Sequence, residues 1–389
     1  MKKLCASLCA ILSGLILLSG CNTKTYNVYS NIPHDWTKPS LKNYILKEDV
    51  LSVQPNMPEA KFVLEGNYKS VGKTFYNIMT SDANIVISDD FTNKAQAEQK
   101  FSSFLADAEQ ILKGAEGSLS ISVEGSAVYN FNNADAGATI KIDKTAYEVL
   151  DIALNMHEFT QGYYNPAIYY NVEMYGFHED AKKPQAKSEL PSDEKVQAFA
   201  ELSSHFSEVK LIEDDGEYYV KKPSAVCTFE GQTYSMKLDL GGIGKGYCAD
   251  LISALMDSYG YEYGYFDFGS SSMVCKNHYK QGDYKIGFRD PRSKSAQAYF
   301  EVFVNNKAVS TSADDVKYYE IDGVRYCHIF NPTTGKPVDS EIMSASIAGL
   351  SAAKGDALTT AIMAMGKQKA VEFVNTKLND AIVVFCCDE

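Results

Sequence analysis

The chain has 389 residues, of which 22% are charged and 45% hydrophobic, and it carries a formal net charge of −13. That balance specifies a globular body able to bury a core. The acidic excess argues against nucleic acid as a partner, because a phosphate backbone is repelled by such a surface.

The chain opens with the cationic Met1-Lys2-Lys3, followed by a mostly apolar run from Leu4 to Leu18. LLSGC, from Leu17 to Cys21, then ends this segment on small residues and a cysteine. Residues 1–20 therefore read as a secretory signal, and the ending resembles a bacterial lipobox, in which Cys21 becomes the lipidated first residue. The apolar run is short for a transmembrane span. The expectation is an extracytoplasmic protein anchored to the bacterial membrane through its lipid.

Residues 21–60 contain Pro33, Pro39, Pro55 and Pro58 without sustained periodicity, and read as a tether and irregular lead-in. Residues 61–389 read as one continuous domain with no internal repeat. Ala97, Phe101, Phe104, Leu105, Ala108 and Leu112 share one side of a helix over 94–113. A second helix is predicted over 143–156, with Asp143 as its N-cap. The charged stretch 178–195, broken by Pro184 and Pro191, reads as a surface loop before a helix starting near Ser192.

EYYVKK, AVCTFEG and TYSMKLDL follow as successive strands, and residues 247–259 as a helix. Two more strands are predicted at 299–304 and 308–310, then helices at 356–365 and 367–376, split at Gly366. Consecutive strands with grouped helices favour an α+β fold over a doubly wound sheet. Beyond the signal and Cys21, six cysteines remain, with no spacing of a disulfide framework or zinc site. Adjacent Cys386 and Cys387 read as small apolar residues ending the strand AIVVFCC rather than as a vicinal bridge.

Three stretches carry candidate chemistry. DLGGIGKGYCAD (239–250) places four glycines and one lysine between a strand and a helix. Main-chain N–H groups at a helix N-terminus form an anion site when no side chain obstructs them. Lys245 adds a full positive charge there. The spacing fits neither a P-loop nor Gly-x-Gly-x-x-Gly, and a glycine-rich turn is as readily a packing device. GDALTTAIMAMG (355–366) sets Asp356 and Thr360 at i,i+4 on one helix face. Their hard oxygens suit Mg²⁺, although Asp356 is equally a good N-cap. HIFNPTTGKPV (328–338) is a run of turns preceded by His328.

Together these stretches resemble the ApbE family, the FAD:protein FMN transferases. They are similar to that family's Asp-x-Gly-Gly-x-Ala/Gly-Lys-Gly-x-x-x-Asp, Ala-Asp-Ala-x-x-Thr-Ala and His-Ile-x-Asp-Pro-x-Thr-Gly-x-Pro segments. SAVYNFNNADAG (126–137), FTQGYYNPAI (159–168), YKIGFRDP (284–291) and AVSTSADD (308–315) echo the family in its order. The resemblance runs from about residue 62 onward and implies an ApbE-like, T-fold-like α+β domain of mixed sheets with packed helices.

The resemblance also implies Mg²⁺-dependent transfer of FMN from FAD, a substrate here, to a Thr or Ser hydroxyl of an acceptor in extracytoplasmic electron transfer. Asp239 and Lys245 would contact FAD. The Gly242 carbonyl, the Asp356 and Thr360 side chains and the Thr359 main chain would hold the metal. Tyr163, Tyr164, Asn165 and the backbone near Ile329 would line the flavin nucleotide pocket. His328 matches the family's histidine, with a proton-transfer or positioning role beside Asp356. Asn165 and Asn331 stand where the family usually has Asp, Ala313 where it often has Gly, and Gly269-Ser270-Ser271 where it usually has Gly-Gly-Asn/Asp. These departures bear on pocket electrostatics and nucleotide affinity. Two alternatives stand beside transfer: Mg²⁺-dependent FAD hydrolysis to FMN and AMP, which needs the same residues, and flavin binding without chemistry, which would not need Asp356 and Thr360 as a pair.

Overall fold

The structure is a computed structural model that describes residues 26–31, 63–65 and 68–387, apart from 180, 281, 294–297 and 350. The signal segment and Cys21 lie outside the described residues. In chain order, β1 (Tyr26–Asn31), β2 (Val63–Glu65), β3 (Tyr68–Ile78) and β4 (Ser81–Asp90) precede α1 (Lys94–Leu119) and α2 (Ala127–Asn133). β5 (Thr139–Ile142), α3 (Lys144–Phe159), α4 (Tyr169–Met174) and α5 (Asp193–Ser204) come next. β6 (Lys210–Asp214), β7 (Glu217–Lys221), β8 (Val226–Phe229) and β9 (Gln232–Ser235) lead to α6 (Gly244–Ser258).

β10 (Tyr263–Phe268), β11 (Ser272–Cys275), β12 (Tyr284–Arg289), β13 (Ala298–Val304) and β14 (Lys307–Ala313) follow. Short hairpins come after them: β15 (Tyr318–Ile321) with β16 (Val324–Cys327), and β17 (Phe330–Asn331) with β18 (Lys336–Pro337). β19 (Ile342–Gly349), α7 (Ala352–Met365), α8 (Lys367–Lys377) and β20 (Asn379–Cys387) complete the described fold.

Nine strands form one sheet in the order β1-β20-β19-β14-β11-β10-β4-β3-β2. Its ladders are antiparallel, with one isolated parallel bridge between Tyr263 and Asn277. β10 shows how sequence sets the faces. In YGYFDF, Phe266 and Phe268 alternate into the main core, while Tyr265 packs on the opposite face. Helices α1, α3, α6 and α7 contribute to the main core, and the β12–β13 hairpin covers part of the other face with Val302 and Val304. The α+β class expected from grouped helices is what forms.

Most predicted elements are present, with instructive differences. Asp143 caps α3, its side chain accepting from the Ala146 amide at 3.0 Å, and Ser192 caps α5 in the same way. TYSMKLDL was expected to be one strand, but β9 ends at Ser235. The following Met236 and Leu238 are fully buried and their backbone is held by a side chain instead of a strand: Asn132 accepts from the Leu238 amide at 2.7 Å and donates to its carbonyl at 2.9 Å. Residues 26–31, inside the segment read as tether, form β1 and pair with β20.

Helix α7 starts four residues before Asp356, so the N-cap reading of Asp356 fails. Ser351 is the cap. Asp250, on the preceding helix, accepts from Ser351 Oγ (2.9 Å) and from the amides of Ala352 (2.8 Å) and Ala353 (3.0 Å). The first turn of α7 is thereby satisfied from α6. The two helices approach so closely that a Cβ on Gly246 would stand 2.3 Å from the Ala352 carbonyl oxygen. Only glycine fits there.

Candidate functional site

The α6–α7 contact builds the centre of the site. Helix α6 begins at Gly244, so Lys245 and Gly246 lie in its first turn, where amides lack helical partners. Asp356, 2% exposed and one turn into α7, accepts from the Gly246 amide at 3.1 Å and from Ser271 Oγ at 3.4 Å. Burial raises its pKa, and Lys245 and the Gly246 amide offset only part of that rise. The glycine-lysine loop and the acidic helix, remote in sequence, therefore meet.

Thr360 completes one wall. Its hydroxyl donates to the Asp356 carbonyl at 3.1 Å and its oxygen lies 3.3 Å from Ser312 Oγ, which leaves one lone pair available. A Cβ built on Gly242 would lie 3.4 Å from Thr360 Oγ1 and 3.6 Å from Cε2 of Tyr164. Gly242, Thr360 and Tyr164 thus line one space, and the buried Tyr164 hydroxyl has no hydrogen-bond partner among the described residues. Thr359 is fully buried, its hydroxyl spent on the Asp356 carbonyl (3.0 Å) and Ser312 Oγ (2.8 Å), so only its main chain is open to the role expected of it.

No three His, Cys, Asp or Glu converge on a metal position among the described residues. What is present is one carboxylate, one hydroxyl and nearby main-chain oxygens. That donor set fits a hard cation that keeps several waters and takes its remaining ligands from phosphate, and it does not fit a soft-metal site.

Asp239 stands at the other end of the loop. Its Oδ1 accepts from the Gly241 amide at 2.8 Å and its Oδ2 lies 3.2 Å from Nε2 of His178. Burial would raise this carboxyl, but the His178 contact, the Gly241 amide and Lys245 outweigh it and the net shift is downward. His328 packs at the rim: its amide and Nδ1 both reach the Lys317 carbonyl, at 3.1 and 3.3 Å. Burial and the charges of Lys245 and Lys317 pull the His328 pKa down to about 4. With Nδ1 donating to a carbonyl, Nε2 is left as the acceptor. Lys317 is also lowered, by burial and by Lys245, and its Nζ reaches Thr80 Oγ1 at 3.5 Å. Neither Lys245 nor Lys317 forms an ion pair with an acid among the described residues.

The predicted flavin-pocket residues divide. Tyr164 belongs to the site. The Tyr163 hydroxyl accepts from Lys369 at 2.6 Å and is directed to α8. The Asn165 side chain is consumed by structural bonds, donating to the Ser203 carbonyl on α5 and accepting from the Ala167 amide, both at 2.9 Å. Ile329 is buried, with its carbonyl accepting from the Val338 amide at 2.8 Å. Sequence reasoning missed His178 and Lys317. His178 sits in the charged stretch read as a surface loop, and Lys317 lies two residues past AVSTSADD, where no pattern singles it out.

Known proteins resemble this chain over most of its length. The ApbE family model matches residues 79–385. A curated FAD:protein FMN transferase from Treponema pallidum is 28% identical over 268 residues, covering 67% of this chain and 70% of that protein. One from Buchnera aphidicola is 27% identical over 248 residues, covering 64% and 68%. The solved flavin transferase ApbE from Vibrio cholerae shares the fold at a TM-score of 0.66 and 20% identity, covering 83% of this chain and 94% of that one. A match of that extent, laid over a site assembled from all three sequence motifs, places the chain in the ApbE family.

Proposed function

We propose that this protein transfers FMN from FAD to a Thr or Ser hydroxyl of an acceptor protein, releasing AMP, with Mg²⁺ required. The observation that carries the reading is the 3.1 Å contact between Asp356 and the Gly246 amide, which joins the glycine-lysine loop to a carboxylate–hydroxyl pair. The curated relatives are named FAD:protein FMN transferases, which supports transfer of FMN from FAD to a protein.

The acceptor oxygen bonds to the FMN-side phosphorus, the P–O bond to the AMP phosphate breaks, and the hydroxyl proton leaves toward the free Nε2 of His328. The main-chain amide and the side-chain charge of Lys245, at the start of α6, bind and orient the diphosphate. Asp356 and Thr360, with main-chain oxygens at Gly242 and Thr359, would hold Mg²⁺, which when bound supplies positive charge to the diphosphate oxygens. Tyr164 closes the space beside Gly242 and excludes water. The protein acts outside the cytoplasm on proteins of electron transfer, held at the membrane by lipid on Cys21.

Incubating the purified protein with FAD, Mg²⁺ and candidate extracytoplasmic electron-transfer proteins tests this. Acceptor mass is read for added FMN, and free FMN and AMP are quantified. An FMN adduct with stoichiometric AMP is expected. Free FMN without an adduct identifies a hydrolase, and tight binding with neither product identifies a carrier; either overturns the transferase reading.

A further inference from the structure

His178, like Lys317, contacts the site from a sequence setting that gave no hint of a role. Its ring is 10% exposed, lies 4.4 Å from the Tyr169 ring and presents Nε2 to Asp239 Oδ2 at 3.2 Å. The backbone around Asp239 is fixed by other groups. Asn132 clamps both main-chain groups of Leu238, and the Asp239 amide donates to the Pro166 carbonyl at 2.8 Å. What those bonds leave free is the rotation of the Asp239 carboxylate. One oxygen folds the glycine loop through the Gly241 amide, and the other meets His178.

We propose that His178 is a positioning residue of the dinucleotide site, setting the Asp239 carboxylate and through it the Gly241–Gly242 turn that faces the diphosphate. A donor to a carboxylate is a strong hydrogen bond, and the tautomer follows: the ring proton on Nε2 faces Asp239, while Nδ1 is buried without a partner among the described residues. The ring therefore has one polar contact to offer, and that contact is Asp239. The Tyr169 ring, in a tilted contact at 51° between planes, packs against the imidazole that it aims. This inference rests on the FAD-site reading above and adds a residue that acts on the substrate through another.

The test compares the purified protein with His178→Leu, His178→Gln, Asp239→Asn and the double variant His178→Leu/Asp239→Asn. Affinity for FAD is measured by fluorescence titration, KM and kcat with an acceptor by turnover, and hydrogen exchange at the Gly241 amide without any ligand. Removing one hydrogen bond to a charged group predicts about a tenfold loss of FAD affinity in His178→Leu, a rise in KM larger than the fall in kcat, and faster Gly241 exchange. Gln, which retains an amide donor, restores most of the loss. The double variant is no worse than Asp239→Asn alone, because the two act as one unit. Unchanged affinity in His178→Leu, or additive losses in the double variant, overturns the proposal. If the unsubstituted protein binds no FAD, the functional reading falls, while Gly241 exchange in the ligand-free variants still decides whether His178 positions the turn.

Discussion

Burial beside two lysines gives His328 a charge state that is measurable without any substrate. In an unfolded chain a histidine titrates near 6.5; in the fold His328 is held to about 4. As pH falls below ~6.5 the unfolded state takes up a proton that the folded state refuses. The stabilisation is complete above that value and is lost as pH falls through the folded pKa. The melting-temperature advantage of the natural protein over His328→Asn is expected to shrink between about pH 6.5 and pH 4, and parallel curves across that window would contradict it. Two further substitutions separate grip from chemistry. Lys245→Ala is expected to weaken FAD binding about tenfold or more. Asp356→Ala is expected to lower kcat by roughly 10²–10³ with a smaller change in affinity; equal activity in either variant would remove that residue from the site. Lys245 and Asp356 were legible in sequence because each sits in a short stretch of unusual composition. His178 was not, because its role comes from a contact with a residue 61 positions away in the chain, nor was Lys317, which meets His328 from a separate strand-and-turn segment.

The α6–α7 pair is where local sequence and tertiary contact disagree most usefully. Asp356 reads as a cap in one dimension, yet the capping is done by Ser351 and by Asp250 from the neighbouring helix. That frees Asp356 for the Gly246 amide. Asp250→Ala would leave three donors of the first turn of α7 unsatisfied and is expected to cost about 3 kcal/mol, read by urea denaturation; a loss under ~0.5 kcal/mol, the size of an ordinary surface change, would show that water replaces the carboxylate. Gly246→Ala drives a methyl into the Ala352 carbonyl and is expected to destabilise by about 2 kcal/mol while also lowering turnover, since the displaced amide is the one Asp356 accepts from. Helix positions were readable from apolar spacing and caps. The end of β9 was not, because Asn132 on α2 supplies to Leu238 the pair of bonds that a strand neighbour would otherwise make.

At the scale of the whole molecule, the α+β class followed from the grouping of elements, but the strand order did not, since it depends on pairings between distant segments. The cysteines show the same division. Cys386 and Cys387 are adjacent in β20, where side chains alternate between faces, and all six described cysteines are buried. Alkylation followed by peptide mass mapping is therefore expected to label these six slowly in the native protein and rapidly in denaturant; a thiol that resists labelling even in denaturant without reductant would reveal a disulfide.

The sheet order carries a consequence for how the protein is made. β20, the last described strand, lies between β1 and β19, so an interior strand of the sheet is the last of the described strands to leave the ribosome. A nascent chain halted before residue 379 holds β19 as a bare template with no neighbour on one side, and is expected to recruit chaperones or proteases until the final strand is translated.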